Sequence, residues 1–286
     1  MLGGGCFSSL EAEFSVCVAI GFLLCFISSE IFAPWIFPQL VPAYTRLPRH
    51  LMLEWNSRWN STLHASFICI SCIGLLAFCP NLWHDRLFSS NYPSELVMCI
   101  STGYMLYDAA TMPMYTSGTE LVMFYIHHGV TVLGSTVIVT RNFGKFYAIY
   151  KLLTEISTPF INLRWFLRQS GVSSKQPAVS LSTLCFGVLF IVVRWFGSIP
   201  FWIMFSRSVG ESHSPKRQAL VDQYSRYAYV FAAALDVLNV LWGIVVIKLC
   251  VRSIKDLRAY QKNKQQLEPH QENCNVPVLT SGDSKC

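Results

Sequence analysis

Residues 120–140 read Glu120-Leu-Val-Met-Phe-Tyr-Ile-His127-His128-Gly-Val-Thr-Val-Leu-Gly-Ser-Thr-Val-Ile-Val-Thr140. After Glu120 the run has no Asp, Glu, Lys or Arg, and it matches the ~20 mostly apolar residues that a helix needs to cross hydrocarbon. Residues 227–251 read the same way, interrupted by Asp236 and Lys248. Working outward, five more runs of similar length appear at 14–37, 62–79, 94–112, 146–167 and 178–205. The first holds Glu30 and Pro34 near its end, which predicts a kink there. The connections are too short for a soluble domain. The pattern predicts an all-α, multi-pass transmembrane helical bundle, with seven helices favoured and six to eight possible.

Composition agrees. Of 286 residues, 52% are hydrophobic and only 13% charged, about half the charged share of a soluble domain, and the mean hydropathy is +0.40. These values exclude a disordered chain, a nucleic-acid module and an ordinary cytosolic enzyme. Most of the eleven cysteines lie inside apolar runs, so they read as small apolar side chains rather than a disulfide framework. Cys69-Ile-Ser-Cys72 is read as packing, not redox or zinc chemistry, while Cys6, Cys274 and Cys286 fall in polar segments. Neither a metal nor a cofactor is expected.

Three regions follow: 1–48 as an N-terminal segment with the first transmembrane helix, 49–255 as the main helical domain, and 256–286 as a polar, disordered tail. Arg252, Lys255, Arg258, Lys262 and Lys264 flank the last span, whereas residues 1–13 hold no Lys or Arg. Basic flanks mark the cytosolic side, so the C-terminus is expected in the cytosol. Asn60-Ser61-Thr62 is a glycosylation sequon on the side expected to be cytosolic, where it would go unused.

Seven ionisable residues lie well inside the spans: Asp108, His127, His128, Lys151, Glu155, Arg194 and Asp236. Each unpaired charge costs roughly 3 kcal/mol at a helix centre, so the five other than histidine must find partners. Two cations against three anions leave one negative charge, which a proton shared between a carboxylate and the His pair would neutralise. Lys151, Glu155, Thr158 and Asn162 follow i, i+4, i+7, i+11, one face of a regular helix. The expected site is a polar cavity lined by Asp108, His127, His128, Glu155 and Asn162, open toward the cytosol. Lys151, Arg194 and Asp236 are its structural polar residues.

His127-His128, the segment Lys151-Leu-Leu-Thr-Glu-Ile-Ser-Thr-Pro-Phe-Ile-Asn-Leu-Arg-Trp165, and Arg194 followed by Ile199-Pro-Phe-Trp202 together resemble the TLC-domain family, which includes ceramide synthases and translocon-associated proteins. The resemblance covers roughly residues 49–255. It implies that 49–255 is the TLC domain and that the endoplasmic reticulum is its membrane, with the plasma membrane as the alternative. It also implies that His127 and His128 stand where the synthases carry their acyl-transfer histidines. The synthases continue with a His-Asp dipeptide and a further Asp, where this chain has Thr154, Glu155 and Thr158. The loss of one His and one carboxylate favours a protein that binds or senses lipid and contributes to membrane lipid homeostasis. The alternative is an acyltransferase that uses the His pair catalytically with an acyl-CoA donor. The expected partners are membrane lipids, with acyl-CoA or a long-chain lipid among them, and no nucleic acid.

Overall fold

The computed structural model describes residues 9–89 and 91–272, and those residues contain no strand. The first helical rod, residues 9–40, joins Ser9–Phe26, a π-helical turn Ile27–Phe32 and Ala33–Leu40. The second is Arg49–Phe78, the third Tyr92–Thr111 and the fourth Gly118–Arg141. The fifth, residues 145–169, joins Lys145–Leu152, a 3₁₀ segment Leu153–Ser157 and Thr158–Gln169. The sixth, residues 177–210, contains Pro177–Phe190, a π segment Ile191–Phe196 and Ser198–Gly210. The seventh is Pro215–Glu272. Each of the seven expected apolar runs coincides with one rod.

Five of the rods, all but the third and fifth, are long and apolar enough to cross a membrane. The third is the most enclosed, burying Ser94, Ser101, Thr102, Tyr104 and Asp108. Helix contacts run first to third, third to fourth, fourth to seventh, seventh to sixth, sixth to fifth, fifth to second and second back to first. This closed circuit lets polar side chains face inward, as hydrocarbon demands. Outward faces are apolar, with Ile20, Val122, Leu133, Val188 and Leu241 exposed, the reverse of a soluble protein's pattern.

Local chemistry sets the ends and breaks. Asn91 caps the third helix, its side chain accepting from the Ser94 N–H at 3.1 Å. The fourth ends with Asn142 left-handed (φ 51°), Phe143 N–H bonding Ile138 C=O and Asn142 N–H bonding Val139 C=O. The kink expected at Pro34 takes the form of the π turn just before it, where Ala33 N–H reaches back to Ser28 C=O. Asn60 Nδ2 donates to the Cys25 carbonyl there at 2.8 Å. Asn60 is 3% exposed and lies within a helix, so the sequon is sterically closed.

Small residues bring helices close. A Cβ on Gly103 would lie 2.4 Å from Val18 O and 2.6 Å from Phe22 N, so the first and third helices touch backbone to backbone. Cys250 Sγ packs on Gly187 and the Trp195 indole on Gly243, tying the seventh helix to the sixth. Cys69 and Cys72 are buried free thiols. The tail differs from expectation: the seventh helix continues to Glu272, past the position 256 where disorder was expected. Residues 256–268 contain no Gly or Pro and are rich in Lys, Gln, Leu and Arg, good helix formers that nothing interrupts. Cys6, Cys274 and Cys286 lie outside the described residues.

Candidate functional site

The ionisable residues of the spans meet inside the circuit as three pairs. Lys151 Nζ donates to Asp236 Oδ1 at 2.7 Å and to Ser198 Oγ at 3.2 Å. Asp236 Oδ2 accepts from Ser198 at 2.5 Å and from Trp202 Nε1 at 2.7 Å. Arg194 NH2 lies 3.3 Å from Glu155 Oε1, and its NH1 donates to Asn239 at 3.0 Å. Thr158 donates to Glu155 Oε2 at 2.7 Å. The third pair is His128 and Asp108, with Nε2 3.1 Å from Oδ2. Asp108 Oδ1 accepts from Ser57 at 2.7 Å and Tyr115 at 3.3 Å.

The His128 ring fixes the protons. Nδ1 lies 2.8 Å from the Phe124 carbonyl, which can only accept, so Nδ1 carries a hydrogen. Nε2 faces a carboxylate oxygen whose partner oxygen already accepts two hydroxyls. A proton must therefore lie between Nε2 and Oδ2 as well. With that proton the His128–Asp108 pair sums to zero charge, as do the other two pairs.

His127 is placed differently. It points about 100° round the helix from His128, packs edge-on to His128 and Trp242 with centroids 5.4 and 5.5 Å apart, and makes no side-chain hydrogen bond among the described residues. It lines a cavity of about 130 Å³ between the fourth, fifth, sixth and seventh helices. Lys151, Thr154 and Glu155 border the same end. Beyond them the walls are mostly apolar, with Ile138, Ala148, Phe201, Phe205, Phe231 and Leu235, and include Thr131, Ser135, Tyr147, Tyr224 and Tyr227. The lining on the fourth helix spans His127 to Ile138, about 16 Å at the α-helical rise. Tyr227 on its far rim is 54% exposed, so that end is not sealed.

This corrects the expected cavity. His127 and Glu155 line it, but Asp108, His128 and Asn162 do not. It is mostly apolar and runs from the His pair toward the end of the fourth helix, not toward its start. Asp108 and His128 are occupied with each other, and Asn162 is bonded to the second helix through Arg58 and Thr62. The single face expected for Lys151, Glu155, Thr158 and Asn162 is broken by the 3₁₀ segment. Five residues at 3.0 rather than 3.6 per turn rotate the face by about 100°. Lys151 thereby reaches the seventh helix, Glu155 the sixth and Asn162 the second. Pro159 contributes to the break because it has no N–H to give the Glu155 carbonyl, which accepts from the Thr158 N–H in the 3₁₀ manner while Thr158 itself stays α.

Several participants escaped the sequence reading. His64 is 7% exposed, bonds Ser101 at 3.1 Å and stacks on Tyr104 at 3.9 Å. Ser57 and Tyr115 lie outside the apolar runs, where hydropathy gives no signal. Lys145 is 1% exposed and paired with Glu95. The relation of Glu95 and Lys145 is legible only once the third and fifth helices are known to touch. Among the described residues no three His, Cys, Asp or Glu gather as a metal site.

Fold and site together define a multi-pass integral membrane protein whose helices enclose paired charges and an apolar slot. The TLC-domain family model matches residues 54–248, and this chain belongs to that family. It is 26% identical to TLC domain-containing protein 4-B of Danio rerio over 82% of this chain and 87% of that one. It is 25% identical to TLC domain-containing protein 4 of Homo sapiens over 82% and 88%. A Dictyostelium discoideum relative, TLC domain-containing protein 4 C, is 29% identical over 68% and 71%.

Proposed function

We propose that the protein holds a membrane lipid within its helix circuit, with an acyl chain in the slot and the polar end against His127, Thr154 and Glu155. In this reading it contributes to the lipid homeostasis of its membrane. The supporting observation is the distribution of polarity in the slot: mostly apolar walls over about 16 Å, with the ionisable groups His127, Lys151 and Glu155 gathered at one end. An amphipathic lipid matches that distribution, because each polar group keeps a polar neighbour while the chain buries apolar area. The endoplasmic reticulum is the membrane this reading assigns, with the plasma membrane second. The basic run from Arg252 favours a cytosolic C-terminus.

The test is lipid analysis by mass spectrometry of purified wild type and of Ala232→Phe, which places a ring in the slot. The expected result is a lipid retained by wild type and depleted several-fold in the variant at unchanged melting temperature. Equal lipid content in both would overturn the reading.

A second reading, acyl transfer, is favoured by the one histidine that faces the slot without a hydrogen bond. With acyl-CoA as donor, His127 would take the proton of an attacking amine or hydroxyl. The new amide or ester bond would form as the C–S bond breaks, and coenzyme A would leave as its thiol. Labelled acyl-CoA with wild type, His127→Ala and His128→Ala decides it. Turnover in wild type that disappears in His127→Ala supports transfer, and retained lipid without turnover excludes it.

A further inference from the structure

The three internal pairs leave a second group of cations unexplained. Arg58, on the second helix, donates from NH1 to Asn162 at 3.1 Å and lies over the Trp165 ring at 5.0 Å. This holds it against the last part of the fifth helix. Phe160 and Ile161 of the fifth helix pack against an apolar cluster of Phe186 and Phe190 of the sixth and Val246 of the seventh, and Cys250 of the seventh packs on the same cluster. One turn beyond that contact the fifth helix carries Arg164, then Arg168, and the seventh carries Arg252. Arg168, Arg252 and Arg58 all lie close enough to Arg164 to act on its charge.

Among the described residues no carboxylate lies within ion-pair distance of Arg164, Arg168 or Arg252, and Glu54 is taken by Arg58 at 2.8 Å. The Arg164 Nε is buried without a hydrogen-bond partner, while Arg168 and Arg252 are exposed. At the opposite end Arg217 pairs with Asp85 and Lys145 with Glu95, while Arg86 also keeps a buried Nε without a hydrogen-bond partner. Like charges gathered beside low-dielectric helices repel, and a buried donor left empty costs about 1–3 kcal/mol. A multivalent oxyanion relieves both.

We propose that Arg164, Arg168 and Arg252, flanked by Arg58, bind a phosphate group at this end of the bundle, at a site separate from the slot. Planar guanidinium forks match phosphate oxygens two at a time. A phosphate, unlike a single carboxylate, offers enough oxygens to engage arginines from two helices together. Trp55 and Trp165 pack beside the cluster at 5.8 Å from each other, and tryptophan gathers at the headgroup level of a bilayer. The phosphate can belong to a lipid headgroup or to a soluble compound.

The test uses native mass spectrometry of the full chain in detergent with equal amounts of phosphatidic acid and phosphatidylcholine added, and separately with coenzyme A. Wild type should retain phosphatidic acid preferentially. The double variant Arg164→Gln/Arg252→Gln should lose that retention by about tenfold or more, since charge-assisted contacts are lost. Arg217→Gln, at the other end, should leave it unchanged. Displacement of phosphatidic acid by coenzyme A assigns the site to soluble phosphates as well, and no displacement assigns it to headgroups. Unchanged retention in the double variant, or equal loss in Arg217→Gln, overturns the proposal. If the double variant melts early, Arg168→Gln, an exposed single change, must lower retention or the proposal fails.

Discussion

Asp108 separates two accounts of the third and fourth helices, one in which a carboxylate neutralises His128 and one in which any hydrogen-bonding side chain would serve. In Asp108→Asn, the amide oxygen can still accept from Ser57 and Tyr115, which lie at 2.7 and 3.3 Å from Oδ1. The amide NH₂ replaces the other oxygen and points at His128 Nε2. His128 keeps its Nδ1 hydrogen on the Phe124 carbonyl and accepts at Nε2 as a neutral ring. Every bond survives, so the cost is under about 1 kcal/mol. Asp108→Leu leaves Nε2 facing hydrocarbon. A trapped charge would cost ~3–5 kcal/mol, and releasing the proton reduces that to the ~1–3 kcal/mol of one buried unpartnered acceptor. At about 2–4 °C per kcal/mol for a chain of this size, Leu should melt about 2–12 °C below wild type and Asn within about 2–4 °C. Melting followed by tryptophan fluorescence in detergent reads the first quantity. Nitrogen-15 spectra of ring-labelled histidine read the second: both His128 nitrogens protonated in wild type, one in Asp108→Asn. Equal melting of Asn and Leu variants, or a wild-type Nε2 without a proton, would refute the reasoning.

Gly103→Val should lower the melting temperature sharply, because its Cβ would meet backbone atoms at 2.4–2.8 Å that cannot rotate away. Overpacking of this kind costs about 1–3 kcal/mol, and a thermal melt matching wild type would show that the two helices are free to separate. Lys151→Leu alone strands Asp236 and should destabilise strongly, while Lys151→Leu/Asp236→Leu should recover at least half of that loss; failure to recover in a double-mutant cycle refutes the pairing. Gly243→Val drives into the Trp195 indole, which a Cβ would approach to 2.2 Å, and should break the Trp195 Nε1 bond to Asn239 O. A shift in tryptophan emission checks it, and an unchanged spectrum counts against that contact.

The seven rods were legible because hydrocarbon imposes one rule on every span, a run of apolar residues of bilayer length. Residues 120–140 and 227–251 obey it almost without exception. Pairing was legible only as arithmetic: two cations, three anions and two histidines had to balance, but nothing in the spacing says that Asp236 belongs to Lys151 rather than to Arg194. The failures have physical causes. Asn162 was placed with Glu155 on the assumption of a continuous α-helix, and the 3₁₀ turn before Pro159 cancelled that phase. Ser57, Arg58 and Tyr115 lie at the ends of spans, where hydropathy averages out, so half the surroundings of Asp108 left no signal. Disorder was expected after 256 because polarity was high, yet polarity without Gly or Pro still permits helix.

The irregular turns and one of the internal ion pairs, Glu155 with Arg194, go together. Each of the three breaks holds an ionisable residue: Glu30 in Ile27–Phe32, Glu155 in Leu153–Ser157 and Arg194 in Ile191–Phe196. Each is followed within a few residues by a proline, Pro34, Pro159 or Pro200, which removes an N–H and forces the ladder to rearrange nearby. A regular helix through position 155 would change its azimuth relative to 162 by tens of degrees and could not satisfy both partners. The breaks also free carbonyls, and side chains claim some of them: Asn60 takes Cys25 and Tyr150 takes Gly197 at 3.0 Å. Of the six paired residues, Glu155 and Arg194 thus lie where the backbone departs from α geometry, whereas Asp108, His128, Lys151 and Asp236 find their partners from regular α-helix. The same departures turn Glu155 toward Arg194 while leaving it on the wall of the slot beside His127.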